Sequence, residues 1–82
     1  MGNYLGDNDA SSRPFTELDQ AKGRRVIIKL KGGEEINGIL KSFDQHLNIW
    51  LEDADENSAQ VNRKLGDVLV RGDNIILISP SK

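Results

Sequence analysis

No cysteine occurs among the 82 residues, which excludes a disulfide framework and the thiolate zinc sites that steady many small domains. Histidine is almost as scarce: His46 stands alone, so a metal site would need several carboxylates gathered around it. No apolar run approaches the roughly eighteen residues needed to span a membrane, and no signal-peptide pattern opens the sequence. The chain therefore reads as soluble, intracellular and cytoplasmic, with no membrane partner. No serine or threonine has a recognisable His–Asp partnership. The stretch Gly32–Gly38, G-G-E-E-I-N-G, lacks the Gly-Lys-Ser/Thr ending of a phosphate-binding loop. No catalytic residue, metal or cofactor is expected. A chain this short hides only about 60% of its unfolded surface, so association with further copies is the expected source of extra stability.

Net charge is −2, which gives no general basic signature, yet the charges are unevenly spread. Lys22, Arg24, Arg25, Lys29 and Lys31 fall between Ala21 and Gly33 with no acid among them. Glu52–Glu56 reads E-D-A-D-E. The basic stretch is read as a solvated face in preference to a polyanion-binding surface, and the acidic one as part of a solubilising loop.

Met1–Ser12 is polar and reads as a flexible tail. Pro14 suits the first position of a short helix, in which Phe15, Leu18 and Ala21 make one apolar stripe before Gly23 stops it. The period then changes to two. Val26, Ile28 and Leu30 mark a half-buried first strand, and Lys31–Glu34 a hairpin turn whose paired glycines, Gly32 and Gly33, are expected to supply the positive φ of a tight turn. A second strand over Glu35–Phe43 carries Gly38, whose interior position marks a bend or close backbone approach. Asp44–His46 turns into a third strand, Leu47–Glu52, followed by a polar loop over Asp53–Asn62. The fourth strand is placed at Lys64–Val70, the next turn at Arg71–Asp73, with Gly72 at positive φ, and the fifth strand at Asn74–Ser79. Ile75–Ile78 is continuously apolar, which implies burial on both faces and cover from a neighbouring subunit. The expected fold is mainly β: a short N-terminal helix followed by a strongly bent five-stranded antiparallel barrel.

Val26–Asp53, with Gly38, the Phe43–Asp44 pair and Asn48, resembles the first Sm motif, and Leu65–Pro80, centred on R-G-D-N at Arg71–Asn74, resembles the second. Both in order, around a variable loop at 54–62, make residues 13–80 resemble an Sm-like protein of the archaeal type. The resemblance implies an Sm-type barrel assembled from identical subunits into a homo-heptameric ring. It also implies binding of single-stranded, uridine-rich RNA at the inner rim of the pore, and a role as RNA chaperone or processing scaffold alongside other RNA-processing proteins. The residues at His46, Asn48 and Arg71 grip uracil in that family. The competing reading is a ring-shaped protein-assembly module that meets RNA only incidentally.

The residue chemistry suits the first reading. A single-stranded base offers a flat π face and a hydrogen-bonding edge. His46 supplies a stacking platform, Asn48 a donor and an acceptor, and Arg71 a planar, permanently charged partner for the opposite face. Asp44, Gly72, Asp73 and Asn74 are expected to shape and hold the two loops, Asp44 chiefly as a turn former. Trp50 departs from the smaller aliphatic usual in the family, and is expected to pack in the barrel or against the next subunit.

Overall fold

The computed structural model of the protein describes residues 15–80. The readings of Met1–Ser12 as a tail and of Pro14 as a helix start lie outside them. A helix, α1, occupies residues 15–20, and five strands follow: β1 (Arg25–Leu30), β2 (Glu35–Phe43), β3 (Ile49–Asn57), β4 (Asn62–Val70) and β5 (Ile75–Pro80). They form one antiparallel sheet in the order β4-β3-β2-β1-β5.

Alternation puts Val26, Ile28 and Leu30 of β1, Ile36 and Leu40 of β2, Ile49, Leu51 and Ala54 of β3, and Val70 of β4 on one face, all buried. For a single sheet to wrap this row of side chains it must bend, and the ladder shifts register at several points to allow it. Gly38 lies at one of them. A Cβ there would stand 3.0 Å from the Ala54 Cβ and 3.2 Å from the Glu52 carbonyl oxygen, so β2 and β3 approach closely only because the side chain is missing.

Asp53 is the matching irregularity in β3, with φ at +53° beside the register shift between Leu51 and Ala54. Arg25 crosses from β1 to hold it. Its guanidinium donates to Asn37 Oδ1 on β2 at 3.1 Å, to the Asp53 carbonyl at 3.3 Å, and to the Asp53 carboxylate. One basic side chain thus joins three strands across the bend. Helix α1 and the turn after it pack on the core through Leu18 and the buried Ala21. Gly23, at φ +82°, ends the helical segment and donates its N–H to the Leu40 carbonyl at 2.7 Å. Phe15 stacks on Phe43 with ring centroids 6.3 Å apart.

Three local expectations need correction. Residues 53–57 belong to β3, and the loop contracts to Ser58–Val61, because the acidic segment faces a basic partner. Asp55 is in register with Lys64 and Glu56 with Arg63, the second pair closing to 2.7 Å. Opposite charges directly across a ladder support strand where either segment alone reads as loop. In the β1–β2 turn, Gly33 carries the positive φ and Gly32 does not. Finally, β5 is not buried on both faces within the single chain: Ile76 and Leu77 are exposed, while Ile75 and Ile78 pack on the core. Among the described residues β4 and β5 share no ladder, so each leaves one edge unpaired.

Replacing Gly38 by valine should lower stability by about 1–3 kcal/mol through overpacking against β3. Urea unfolding at fixed protein concentration measures this; an unchanged midpoint would contradict the close-approach account.

Candidate nucleic-acid interface

Two loops meet where β2 passes into β3 and β4 into β5. In the first, the ladder continues one step past the strands, the Asp44 N–H donating to the Asn48 carbonyl at 3.2 Å. The turn closes when the Leu47 N–H donates to the Asp44 carbonyl at 3.0 Å, with Leu47 at φ +62°. The Asp44 side chain then organises the rest. Its Oδ1 accepts the backbone N–H groups of His46 at 2.9 Å and Asn48 at 3.0 Å, and its Oδ2 accepts the Asn48 side-chain amide at 3.1 Å. These bonds favour the charged carboxylate, the Asn48 side chain contributing most, and hold the Asp44 pKa below the ordinary aspartate value.

Asn48 reaches the second loop. Its Oδ1 accepts the Gly72 N–H at 2.9 Å, so one side-chain amide joins both loops. Gly72 begins a single 3-10 turn, Gly72–Asn74, and its φ is not positive. That corrects the turn-based reason given for this glycine. A Cβ at Gly72 would lie 2.1 Å from the His46 carbonyl oxygen and 2.8 Å from that of Leu47. Glycine is needed there because the loops lie backbone to backbone.

Asn74 secures the second loop from behind: its N–H donates to the Arg71 carbonyl, and its carbonyl accepts the Lys31 N–H, each at 3.0–3.1 Å. Asp73 accepts a hydrogen bond from the Arg71 guanidinium at 3.1 Å. Both side chains are well exposed, so this ion pair adds little stability and serves to aim the arginine.

His46, Asn48, Arg71, Gly72 and Asp73 come together around a shallow concavity of about 400 Å³, with Asp44 beneath and Asn74 behind. An asparagine amide offers two N–H groups and two acceptor positions. The clasp uses one of each, which leaves one donor and one acceptor. His46 and Arg71 are both exposed beside them. The concavity can therefore present a planar ring, a planar cation and an amide edge to one flat ligand. Sequence reasoning missed Leu47, whose left-handed backbone sets the approach of the loops; leucine carries no signal for that conformation. It also missed Arg25, whose role needs partners twelve and twenty-eight residues away. Among the described residues, no group of three or more potential metal ligands gathers, and no helix is long and apolar enough to cross a membrane.

A capping helix, five antiparallel strands bent around one core and a pair of clasped loops define a small domain built on one strongly bent sheet. The chain belongs to the LSM-domain family, whose model matches residues 16–80. It is 40% identical over 70 residues to an snRNP Sm-like protein of Methanococcoides burtonii, covering 84% of this chain and 97% of that one. A heptameric archaeal Sm protein superposes with a TM-score of 0.77 at 45% identity, over 82% of this chain and 98% of its own. The Pyrococcus abyssii Sm protein, solved in complex with a uridine heptamer, superposes with a TM-score of 0.80 at 34% identity, over 84% and 99%.

Two outcomes test the clasp. Because the Asp44 pKa is depressed in the folded loop, its bonds are fully present above the ordinary aspartate range and lost as pH falls through the lower, folded value. The amide resonances of His46 and Asn48 should therefore titrate together below that range; a midpoint at or above it would contradict the hydrogen-bonded carboxylate. Gly72→Ala should force the loops apart and cost about 1–3 kcal/mol in chemical denaturation. Unchanged stability would mean that the loops part cheaply.

Proposed function

We propose that copies of this chain close into a homo-heptameric ring that holds single-stranded, uridine-rich RNA at the inner rim of its pore, one nucleotide per subunit. The observation that carries this reading is the clasped pair of loops. Asn48 keeps one free donor and one free acceptor, and exposed His46 and Arg71 flank it. A uracil edge offers an N–H beside a carbonyl, the complement of that free amide edge. His46 stacks on one base face, Arg71 covers the other and adds charge, and Asp44, Gly72, Asp73 and Asn74 hold these groups in place. The uridine heptamer bound by the Pyrococcus abyssii relative supports the ligand class.

The ring follows from the two free strand edges. β4 of one subunit pairs with β5 of the next, a head-to-tail contact that rotation closes, and it covers Leu69, Ile76 and Leu77. The heptameric archaeal relative supports seven copies. Seven weak, identical sites then reinforce one another on a single strand. Such a ring works without catalysis in the cytoplasm, as an RNA chaperone or a scaffold for other RNA-processing proteins.

Titration of labelled oligo-U and oligo-A tests the reading. Oligo-U should bind at micromolar or lower concentration and in preference to oligo-A, and Asn48→Ala or Arg71→Ala should weaken it by roughly tenfold or more. Feeble, equal binding of both oligomers that vanishes at moderate salt would instead favour a protein-assembly ring. Native mass spectrometry should give seven copies; a hexamer or a monomer would contradict the assembly.

A further inference from the structure

Trp50 is the single tryptophan of the chain, and it is 39% exposed. Tryptophan carries the largest apolar surface of any side chain, so leaving it in solvent is unfavourable unless something stacks on it. The ladder fixes where it lies. Ile49 pairs with Val70 and Leu51 with Val68, with Ile49, Leu51 and Val70 in the core, so Trp50 and its partners Ser42 and Leu69 occupy the opposite, outer face. Ser42 is small and Leu69 is itself 59% exposed, and the indole keeps 39% of its surface in solvent.

The next cross-strand row on that face is Asp44 with Asn48, joined by the backbone bond that continues the β2–β3 ladder. Two residues along a strand span about 6.5 Å. The indole therefore lies one side-chain step from the amide that clasps the loops, on the face Asn48 shares. Past Trp50 the face turns polar, with the Lys41–Glu52 ion pair at 3.8 Å.

We infer that Trp50 is a second stacking platform for single-stranded RNA, receiving the base adjacent to the one held between His46 and Arg71. The inference rests on the RNA-binding reading of the loops and extends it by one nucleotide. An indole recognises any base through its π face, so the added platform strengthens binding and lengthens the site without reading sequence.

Because no other tryptophan contributes, intrinsic fluorescence reports on Trp50 directly. Uridine oligomers titrated into the full chain should quench that fluorescence in parallel with the anisotropy change of the labelled RNA. Trp50→Leu should weaken oligo-U binding roughly tenfold, within the range of one base–aromatic stack, and Trp50→Tyr should restore most of it. The substitutions lie on an exposed face, and a far-ultraviolet circular dichroism spectrum unchanged in Trp50→Leu shows that the fold persists. Anisotropy that saturates while the fluorescence stays constant, with Trp50→Leu binding as tightly as the parent chain, would overturn the inference and leave the loop site standing. A blue-shifted emission that appears on ring assembly and ignores RNA would overturn it in favour of a partner copy covering the indole. Absence of oligo-U binding in both signals would overturn the loop reading as well.

Discussion

The side-chain amide of Asn48 holds the functional end of this molecule together. It takes a hydrogen bond from Gly72 on one loop and gives one to Asp44 on the other. Each link depends on a feature that looks unrelated in the sequence. The Gly72 bond needs a residue without a Cβ, and the Asp44 bond needs a carboxylate already fixed by two backbone N–H groups. The amide has twice as many hydrogen-bonding positions as the clasp consumes, so one side chain can lock the loops and keep a donor and an acceptor over. The Asp44 bonds are exposed, so water competes for them, while the Asn48–Gly72 bond is half-buried.

The barrel serves to bring these loops together. They lie 24 residues apart in sequence along the Asn48–Gly72 bond and become neighbours because β3 and β4 pair from Ile49–Val70 onward. At one end of that pairing Ile49 lies opposite Val70 in the core, and at the other the Asp55–Lys64 and Glu56–Arg63 rows brace it. Surface ion pairs of this kind are individually weak, but in register they settle whether a charged segment lies as strand or loop. The bend between the two ends is set by Gly38, where bulk is missing, and by Arg25, which reaches across three strands.

How much of this was legible in the sequence varies with the range of the interaction. The alternation of Val26, Ile28 and Leu30, the hairpin at Lys31–Glu34 and the glycine bend at Gly38 are local or nearly local signals, and the architecture follows from them. The acidic end of β3 reads as a loop because its stabilising partners, Arg63 and Lys64, lie across a turn. Gly72 is recognisable as an indispensable glycine, but turn chemistry suggests positive φ, whereas the cause is the carbonyl groups of His46 and Leu47 in another loop. The exposure of Ile76 and Leu77 runs against their apolar pattern, since a single chain cannot supply what a second copy would cover. The residue types of the two loops and the holding roles of Asp44 and Asp73 were thus readable, and the Asn48–Gly72 link between the loops was not.

The central claim is that one amide both locks the loops and meets the ligand. A crystal structure of the protein with a short uridine oligomer, at a resolution that distinguishes amide orientation through its partners, tests this most directly. The account predicts a uracil seated between His46 and Arg71 with its edge on Asn48, while Asn48 still bridges Asp44 and the Gly72 N–H. A uracil bound elsewhere, or an Asn48 side chain that releases Gly72 to reach the base, would contradict it.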